Sequence, residues 1–233
     1  MGRKKHQANK TEVVPQDVAA IRRKIRGFLD SIDTSGNKIG SCKWGVYAFY
    51  DYDGEPIYVG QTRESLRQRI GRHLTNQRTD AVAMNVLDPF EVAEIEVWTF
   101  WRFQDRKSRD LEAQSVLNSA EYTVFEYVLA RSSFRAVLNE KDVAPADKLE
   151  LAQSIRGRII PDNLFEQRKH PDVRIARRAT TIAALARVIG ERDVSKGLRR
   201  TLMTQARRLE RLAAQRYHDI SGGVPVAEPG EEV

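Results

Sequence analysis

The chain has 233 residues, of which 41% are hydrophobic and 30% are charged, a composition typical of a globular protein rather than a disordered one. Its single cysteine, Cys42, excludes an intramolecular disulfide and argues against a thiolate zinc site, so any metal would be bound by oxygen or imidazole ligands. No run approaches the roughly 18 apolar residues that span a bilayer, and the basic start GRKKHQANKTE lacks the apolar segment of a signal peptide, so we expect a cytoplasmic protein that does not associate with membranes.

The N-terminal region, residues 1–42, reads as a basic arm followed by an amphipathic helix. Residues 15–30 place apolar side chains at helical spacing, with Pro15 near the start and basic residues on the opposite face. Residues 1–27 hold eight Lys or Arg and two acids, a local net charge of +6. The turn-rich run SIDTSGNKIGS then predicts a loop that leads into the main domain.

A β-hairpin and a helix are predicted next. The runs GVYAFY at 45–50 and PIYVG at 56–60 are separated by the turn sequence DYDGE. In the sequence TRESLRQRIGRHL that follows, apolar residues recur at every fourth position, which predicts a helix with one buried stripe. Arg69 and His73 are four residues apart, so we expect them on one face of this helix, a single turn apart.

A third strand and a long helix complete the predicted domain at 43–140. The sequence EVAEIEVWTFWRF alternates apolar and acidic residues and predicts a strand. The long helix is predicted from about residue 110 to residue 130 and is followed by a short segment that ends at Asn139. These elements predict an α+β fold in which a small three-stranded antiparallel sheet is flanked by helices.

Residues 141–220 predict a basic helical C-terminal region. The run PDNLFEQRKHP reads as a linker, and residues 172–189 and 195–217 read as a helical hairpin. Residues 171–218 hold twelve basic and four acidic side chains, a local net charge of +8, which suits contacts with a phosphate backbone or a solvated surface. The Gly-, Pro- and Glu-rich residues 221–233 predict a disordered tail.

The same C-terminal helices carry apolar residues that predict a seam suited to a homodimer. These residues are Ile182, Leu185, Ile189, Leu198, Leu202, Leu209 and Leu212.

The order of these parts resembles the GIY-YIG nuclease family. The tripeptides GVY at 45–47 and YVG at 58–60 are followed by Arg69 and His73 on a helix, and the resemblance covers roughly residues 43–140. Both tripeptides have Val where the family name has Ile, a conservative change between β-branched residues that favour strands. The resemblance implies a GIY-YIG nuclease fold with helical extensions at both ends and an endonuclease activity on phosphodiester bonds.

The resemblance also implies roles for four side chains. Two tyrosines on neighbouring strands can project from one face of a sheet, so Tyr47 and Tyr58 can converge on one phosphate. Tyr47 would activate or position the nucleophile, and Tyr58 would support it by hydrogen bonding. Arg69 would stabilise phosphate oxygens, and His73 would activate water or Tyr47 near neutral pH. Strand tyrosines are also common packing residues, which is the structural alternative.

A glutamate on a later helix is the metal ligand that the resemblance implies. Glu112, Glu121 and Glu126 are candidates, and the spacing of 13 residues before Asn139 favours Glu126. Helical geometry favours Glu121, because this carboxylate interrupts an apolar face where an unpaired charge is costly. We therefore expect Glu121 to bind Mg²⁺ or Mn²⁺. Asn139 is expected to orient the substrate, to anchor the end of the helix, or to serve as a turn residue.

The resemblance implies a Mg²⁺-dependent DNA endonuclease. Restriction, repair and mobile-element roles are open, and a stand-alone domain with basic helical arms favours a restriction-type enzyme. The alternative is a non-catalytic nucleic-acid-binding protein that uses its Arg-rich helices on a GIY-YIG-like scaffold. RNA is a second candidate substrate, because phosphate chemistry alone does not distinguish the two polymers.

Overall fold

Strands and helices alternate along the chain in the computed structural model, which describes residues 15–75, 88–139 and 142–222. The strands are β1 (Gly45–Tyr50), β2 (Pro56–Thr62), β3 (Glu94–Thr99) and β4 (Ile155–Arg158). The α-helices in these ranges are α1 (Gln16–Leu29), α2 (Leu66–Thr75), α3 (Leu111–Arg131), α4 (Asp162–Lys169), α5 (Pro171–Glu191) and α6 (Lys196–Ile220). The predicted α+β class with helical extensions is confirmed.

All strands belong to one antiparallel sheet with the order β2-β1-β3-β4. The prediction of three strands was therefore wrong, because a fourth strand, β4, pairs with β3. β4 lies in a segment that we had predicted to form helices and turns. Its four residues, IRGR, include two exposed arginines and a glycine, so they lack the apolar alternation that identifies a strand. A short edge strand of this kind is specified by its neighbour more than by its own sequence.

The two faces of the sheet pack against different helices. On one face, aromatic side chains of β1 and β2 meet Ile25 and Phe28 of α1 and Leu66 and Ile70 of α2. On the other face, the sheet packs against the apolar stripe of α3. This stripe consists of Ala113, Leu117, Ala120, Val124 and Val128, spaced at three and four residues as expected for a helix with one buried side.

The predicted linker PDNLFEQRKHP contains the two-turn helix α4, which corrects that interpretation. Pro161 occupies the position before the first residue of α4, and Pro171 is the first residue of α5. Proline is well tolerated at these positions because a helix start leaves its backbone N–H groups without intrahelical partners. The two prolines therefore bracket a helix, whereas we had taken them as signs of irregular structure.

The apolar seam of the C-terminal helices is used largely within the chain. Leu185 and Leu198 are buried in the core that covers the α1 side of the sheet, and Ile189 and Leu202 are partly buried against it. The homodimer that we had predicted from this seam remains untested. The seam itself packs α5 and α6 onto the domain.

Several arginines of α5 and α6 are buried, which corrects their interpretation as a solvated or DNA-facing set. Asp51, in the turn between β1 and β2, accepts hydrogen bonds at Oδ2 from Arg174 at 3.1 Å, Arg178 at 2.9 Å and Arg208 at 2.6 Å. These four side chains are at most 5% exposed, and Arg178 also pairs with the buried Glu91 at 3.2 Å. We call Asp51 and its three arginines the Asp51 cluster.

Two further predictions fall partly outside the described residues. The predicted basic arm lies mostly before residue 15, and the predicted tail lies mostly beyond residue 222. In the described ranges, no helix is long and apolar enough to cross a bilayer.

Candidate functional site

A cleft of about 1180 Å³ opens beside the edge strand β2 and is bordered by the first half of α3. Of the predicted site residues, Tyr58, Arg69, Glu121 and Asn139 line it. The structure therefore brings residues from β2, α2, α3 and the segment after α3 to one concave surface. Tyr47 and His73 are not part of its lining and lie behind it.

Tyr47 connects the buried His73 to the cleft through Arg69. The Tyr47 hydroxyl lies 2.9 Å from Nε2 of His73, and Nε of Arg69 donates to the same hydroxyl at 3.2 Å. Tyr47 is fully buried and His73 is 1% exposed, whereas Arg69 is half-buried. The predicted helical pair, Arg69 and His73, thus converges on one hydroxyl oxygen, as their spacing of one turn allows.

The pKa values of this group keep both Tyr47 and His73 neutral. Burial raises the pKa of Tyr47 to about 12, although the positive charge and hydrogen bond of Arg69 oppose the rise. Burial, together with the charges of Arg69 and Arg72, lowers the pKa of His73 to about 3. A neutral imidazole can accept the Tyr47 proton at Nε2. In either tautomer, Nδ1 of His73 is buried and has no hydrogen-bond partner among the described residues.

Gly60 separates the Tyr47 hydroxyl from the cleft. Gly60 pairs directly with Tyr47 across the hairpin and lines the cleft. A Cβ atom at this position would lie 2.6 Å from the Tyr47 hydroxyl oxygen and 2.8 Å from Cζ. The absence of a side chain at position 60 therefore leaves the hydroxyl just beneath the cleft surface, a close approach that only glycine permits.

Tyr58 contacts Tyr47 through its ring. The two rings stack with centroids 6.2 Å apart, because Tyr58 pairs with Phe49 and is thus diagonal to Tyr47 on the same face of the sheet. The expectation that both tyrosines project from one face agrees with this register. The hydrogen-bonding role that we expected for Tyr58 remains a prediction.

Glu121 is held at the cleft by Gln61, which was not among the predicted site residues. Nε2 of Gln61 donates to Oε2 of Glu121 at 2.8 Å and to Oδ1 of Asn118 at 2.8 Å. Burial raises the pKa of Glu121, while the Gln61 hydrogen bonds and the charge of Arg69 oppose this shift. The position of Gln61, directly after the YVG tripeptide, is the signal that could have identified it.

The alternative carboxylates point elsewhere. Glu126 pairs with Lys148 at 3.3 Å, and Glu112 pairs with Arg106 at 3.7 Å. Neither lines the cleft. Among the three candidates that the sequence left open, Glu121 is the one that the fold brings next to Arg69.

Asn139 joins the edge of β2. Its side chain accepts from the Val59 backbone N–H at 3.1 Å and donates to the Val59 carbonyl at 2.8 Å. The preceding Leu138 donates its N–H to the Ile57 carbonyl at 2.9 Å. Of the roles left open for Asn139, the contacts correspond to an anchor, but the anchored element is β2 rather than the end of α3.

A divalent cation fits the donor set at Glu121. Throughout the described ranges, no cluster of three or more His, Cys, Asp or Glu side chains could form an all-protein metal site. Mg²⁺ needs few protein ligands, because it commonly keeps several waters and binds one or two carboxylates together with phosphate oxygens. Gln61 engages Oε2 of Glu121, and this contact orients the carboxylate at the cleft surface.

Comparison with known proteins agrees with the geometry. The family model of the GIY-YIG catalytic domain matches residues 43–115, which include β1, β2, α2 and β3 and the first turn of α3. No curated protein and no solved structure matches the chain. Domains of this family are generally nucleases that act on nucleic acid. The chain therefore contains a GIY-YIG nuclease-type domain over residues 43–115.

Proposed function

We propose that the protein is a divalent-metal-dependent endonuclease that hydrolyses phosphodiester bonds of DNA. The observation that carries this proposal is the convergence of Tyr47, His73 and Arg69 on one hydrogen-bonded group, with Glu121 beside Arg69 in the same cleft. A polar cleft with convergent titratable groups of perturbed pKa is a common feature of active sites. A cytoplasmic location and a role in DNA restriction are part of the same proposal.

Tyr47 and His73 would carry the proton of the attacking water. The water would bind at the cleft surface next to Gly60 and would pass a proton to the Tyr47 hydroxyl as that hydroxyl passes its own proton to Nε2 of His73. The low pKa of His73 opposes this step when no phosphate lies beside Arg69. A bound phosphate beside Arg69 would offset the positive charge that contributes to the low pKa, so the imidazole becomes a better base when substrate is present.

Arg69 would bind the phosphoryl oxygens. Its hydrogen bond to Tyr47 fixes the guanidinium at the cleft wall, and a fixed guanidinium stabilises the charge that develops on phosphate in the transition state. Glu121 would hold the metal ion, with Gln61 orienting the carboxylate. When bound, the ion supplies Lewis-acid stabilisation of the leaving oxygen.

The test is cleavage of supercoiled plasmid with Mg²⁺ and with EDTA. We expect nicking by the wild-type protein only with Mg²⁺, loss of nicking on Glu121→Ala, and wild-type nicking by Glu126→Ala. The two variants remove the same side chain from the same helix, and Glu126 pairs with Lys148 outside the cleft, so Glu126→Ala is the matched control.

Two results would contradict parts of the proposal. Equal loss of activity in both glutamate variants would point to a general defect in α3 and would contradict the role of Glu121 as the metal ligand. Salt-sensitive DNA binding without Mg²⁺-dependent nicking would instead favour a non-catalytic nucleic-acid-binding protein.

A further inference from the structure

Two of the four acidic residues that line the cleft are paired with arginines from neighbouring elements. Glu64 pairs with Arg72, and Asp142 pairs with Arg200. Within residues 15–75, 88–139 and 142–222, Glu121 and the exposed Asp147 are the acids on the lining without an arginine ion pair. The cleft is therefore less negative than its composition suggests.

Two arginines on the same lining have no ion pair or hydrogen bond within the described parts of the chain. Arg63 follows β2, and Arg109 precedes Asp110, which caps the start of α3. Both side chains are exposed. By contrast, Arg72 and Arg200 are paired with acids. Unpaired arginines beside neutralised acids are positioned to attract an anionic ligand.

The flank of α3 between Arg109 and Glu121 carries small polar side chains. Ser115, Asn118 and Ser119 line the cleft there, and the Gln61 bond to the Asn118 oxygen leaves the Asn118 amide nitrogen to donate. Hydroxyl and amide groups are common donors to phosphate oxygens. From Leu111 to Glu121 the helix rises about 15 Å, the length of about four nucleotides of a duplex strand at about 3.4 Å each.

We infer that these residues form a phosphate path, consisting of Arg63, Arg109, Ser115 and Asn118, along which a nucleic-acid strand lies next to the scissile bond. The inference deepens the proposed nuclease function and rests on it. It also defines the orientation of the bound strand, which runs from the Glu121 end of the cleft towards Arg109. Arg63 contacts the same backbone from the β2 side. The path contacts phosphates and not bases. It therefore contributes binding affinity and fixes the position of the strand without a preference for sequence.

The test measures binding of a short random-sequence DNA duplex by fluorescence anisotropy in EDTA at several salt concentrations. We expect Arg63→Gln and Arg109→Gln each to weaken binding several-fold and to reduce the slope of log K against log salt by about 1. Arg109→Lys should keep the slope because it keeps the charge. Arg131→Gln is the matched control, since Arg131 is an exposed arginine at the opposite end of α3 that stacks on Tyr127 outside the cleft.

A second measurement separates this inference from the proposed function. With Mg²⁺, we expect the DNA concentration that gives half-maximal single-turnover cleavage to rise several-fold in Arg63→Gln and Arg109→Gln, and to stay at the wild-type value in Arg131→Gln, whose side chain lies outside the cleft. Wild-type binding that shows the predicted arginine dependence without any cleavage would overturn the nuclease proposal and support the path. Cleavage by the wild type together with unchanged slopes in both variants would overturn the path alone.

The same binding measurements with an RNA duplex test whether the path binds RNA. Arginine-dependent binding of RNA in place of DNA would support the path with a different substrate. No salt-dependent binding of either duplex would overturn it.

Discussion

At the scale of single residues, the site depends on an imidazole that is held neutral by burial. His73 is 1% exposed and contacts the Tyr47 hydroxyl, and its pKa falls to about 3. The sequence could predict that Arg69 and His73 share a helical face, because that follows from a spacing of four residues. It could not predict that the imidazole lies behind the cleft, since burial depends on the packing of α2 against a sheet formed by distant residues.

A buried neutral histidine makes stability depend on pH. In the unfolded chain His73 takes up a proton below about pH 6.5, whereas in the folded chain it does so only near pH 3. The contribution of neutral His73 to the free energy of unfolding is therefore fully present above pH 6.5 and is lost as the pH falls through this window. At pH 5 the loss should be about 2 kcal/mol. Urea unfolding at pH 7 and pH 5 measures it, and His73→Gln should lack this component. An equal pH dependence in the two proteins would show that His73 titrates normally when folded.

At the scale of secondary structure elements, β2 is both the edge of the sheet and one wall of the cleft. Its outer edge is not left open, because Leu138 and the Asn139 side chain satisfy backbone groups of Ile57 and Val59. An edge strand with satisfied backbone groups is more rigid than an open one. Asn139 was identified in the sequence by resemblance, but its contact lies 80 residues away along the chain, which no local pattern reveals.

We predict that Asn139→Ala loosens β2. The substitution leaves the Val59 N–H and carbonyl without partners in a buried position, so the free energy of unfolding should fall by about 2 kcal/mol. The hydrogen-exchange rate at the Val59 amide should rise by more than the loss of global stability alone would cause. Asn118→Ala is the control: this side chain is exposed and bonds Gln61, so its removal should cost less than about 0.5 kcal/mol and leave Val59 protected. Unchanged exchange at Val59 in Asn139→Ala would exclude the anchoring role.

Among the elements, those with strong local periodicity were predictable and those set by their neighbours were not. The hairpin, α2 and α3 follow from alternation, turn residues and regular apolar spacing. The short strand β4 and the two-turn helix α4 do not, because each is stabilised by what it packs against. Glu121 illustrates an intermediate case: helical geometry distinguished it from Glu126, but its partner Gln61 became visible only with the sheet in place.

At the scale of the whole molecule, the Asp51 cluster attaches the C-terminal helices to the hairpin. Oδ1 of Asp51 accepts from the backbone N–H groups of Asp53 and Glu55 in the hairpin turn, while Oδ2 binds arginines from α5 and α6. From the sequence, the net charge of +8 on these helices was counted as accessible to solvent. The burial of an arginine cannot be recognised from the sequence unless its acidic partner is known. The charge available for nucleic acid is correspondingly smaller.

Removing the charge of the Asp51 carboxylate should strongly destabilise the fold. Asp51→Asn leaves three buried arginines with much less negative charge around them, so we expect a loss of about 3–5 kcal/mol in the free energy of unfolding. Asp53→Asn is the matched change in the same turn, and because the Asp53 side chain is 53% exposed, its loss should be below about 1 kcal/mol despite its pair with Arg174. Urea denaturation of both variants provides the comparison. Similar losses for the two would mean that the buried ion pairs contribute little net stability.

The Asp51 cluster also affects how the protein is made. Asp51 and Arg208 are 157 residues apart, so the ribosome needs about 8–30 s to add the second after the first at about 5–20 residues per second. Until the end of that interval, the nascent hairpin carries a carboxylate whose set of three arginine partners is incomplete, because Arg208 is the last of them to be translated. The Asp51 cluster is therefore completed only when α6 emerges, and until then the unfinished domain exposes apolar surface of the kind that makes incomplete chains prone to aggregation.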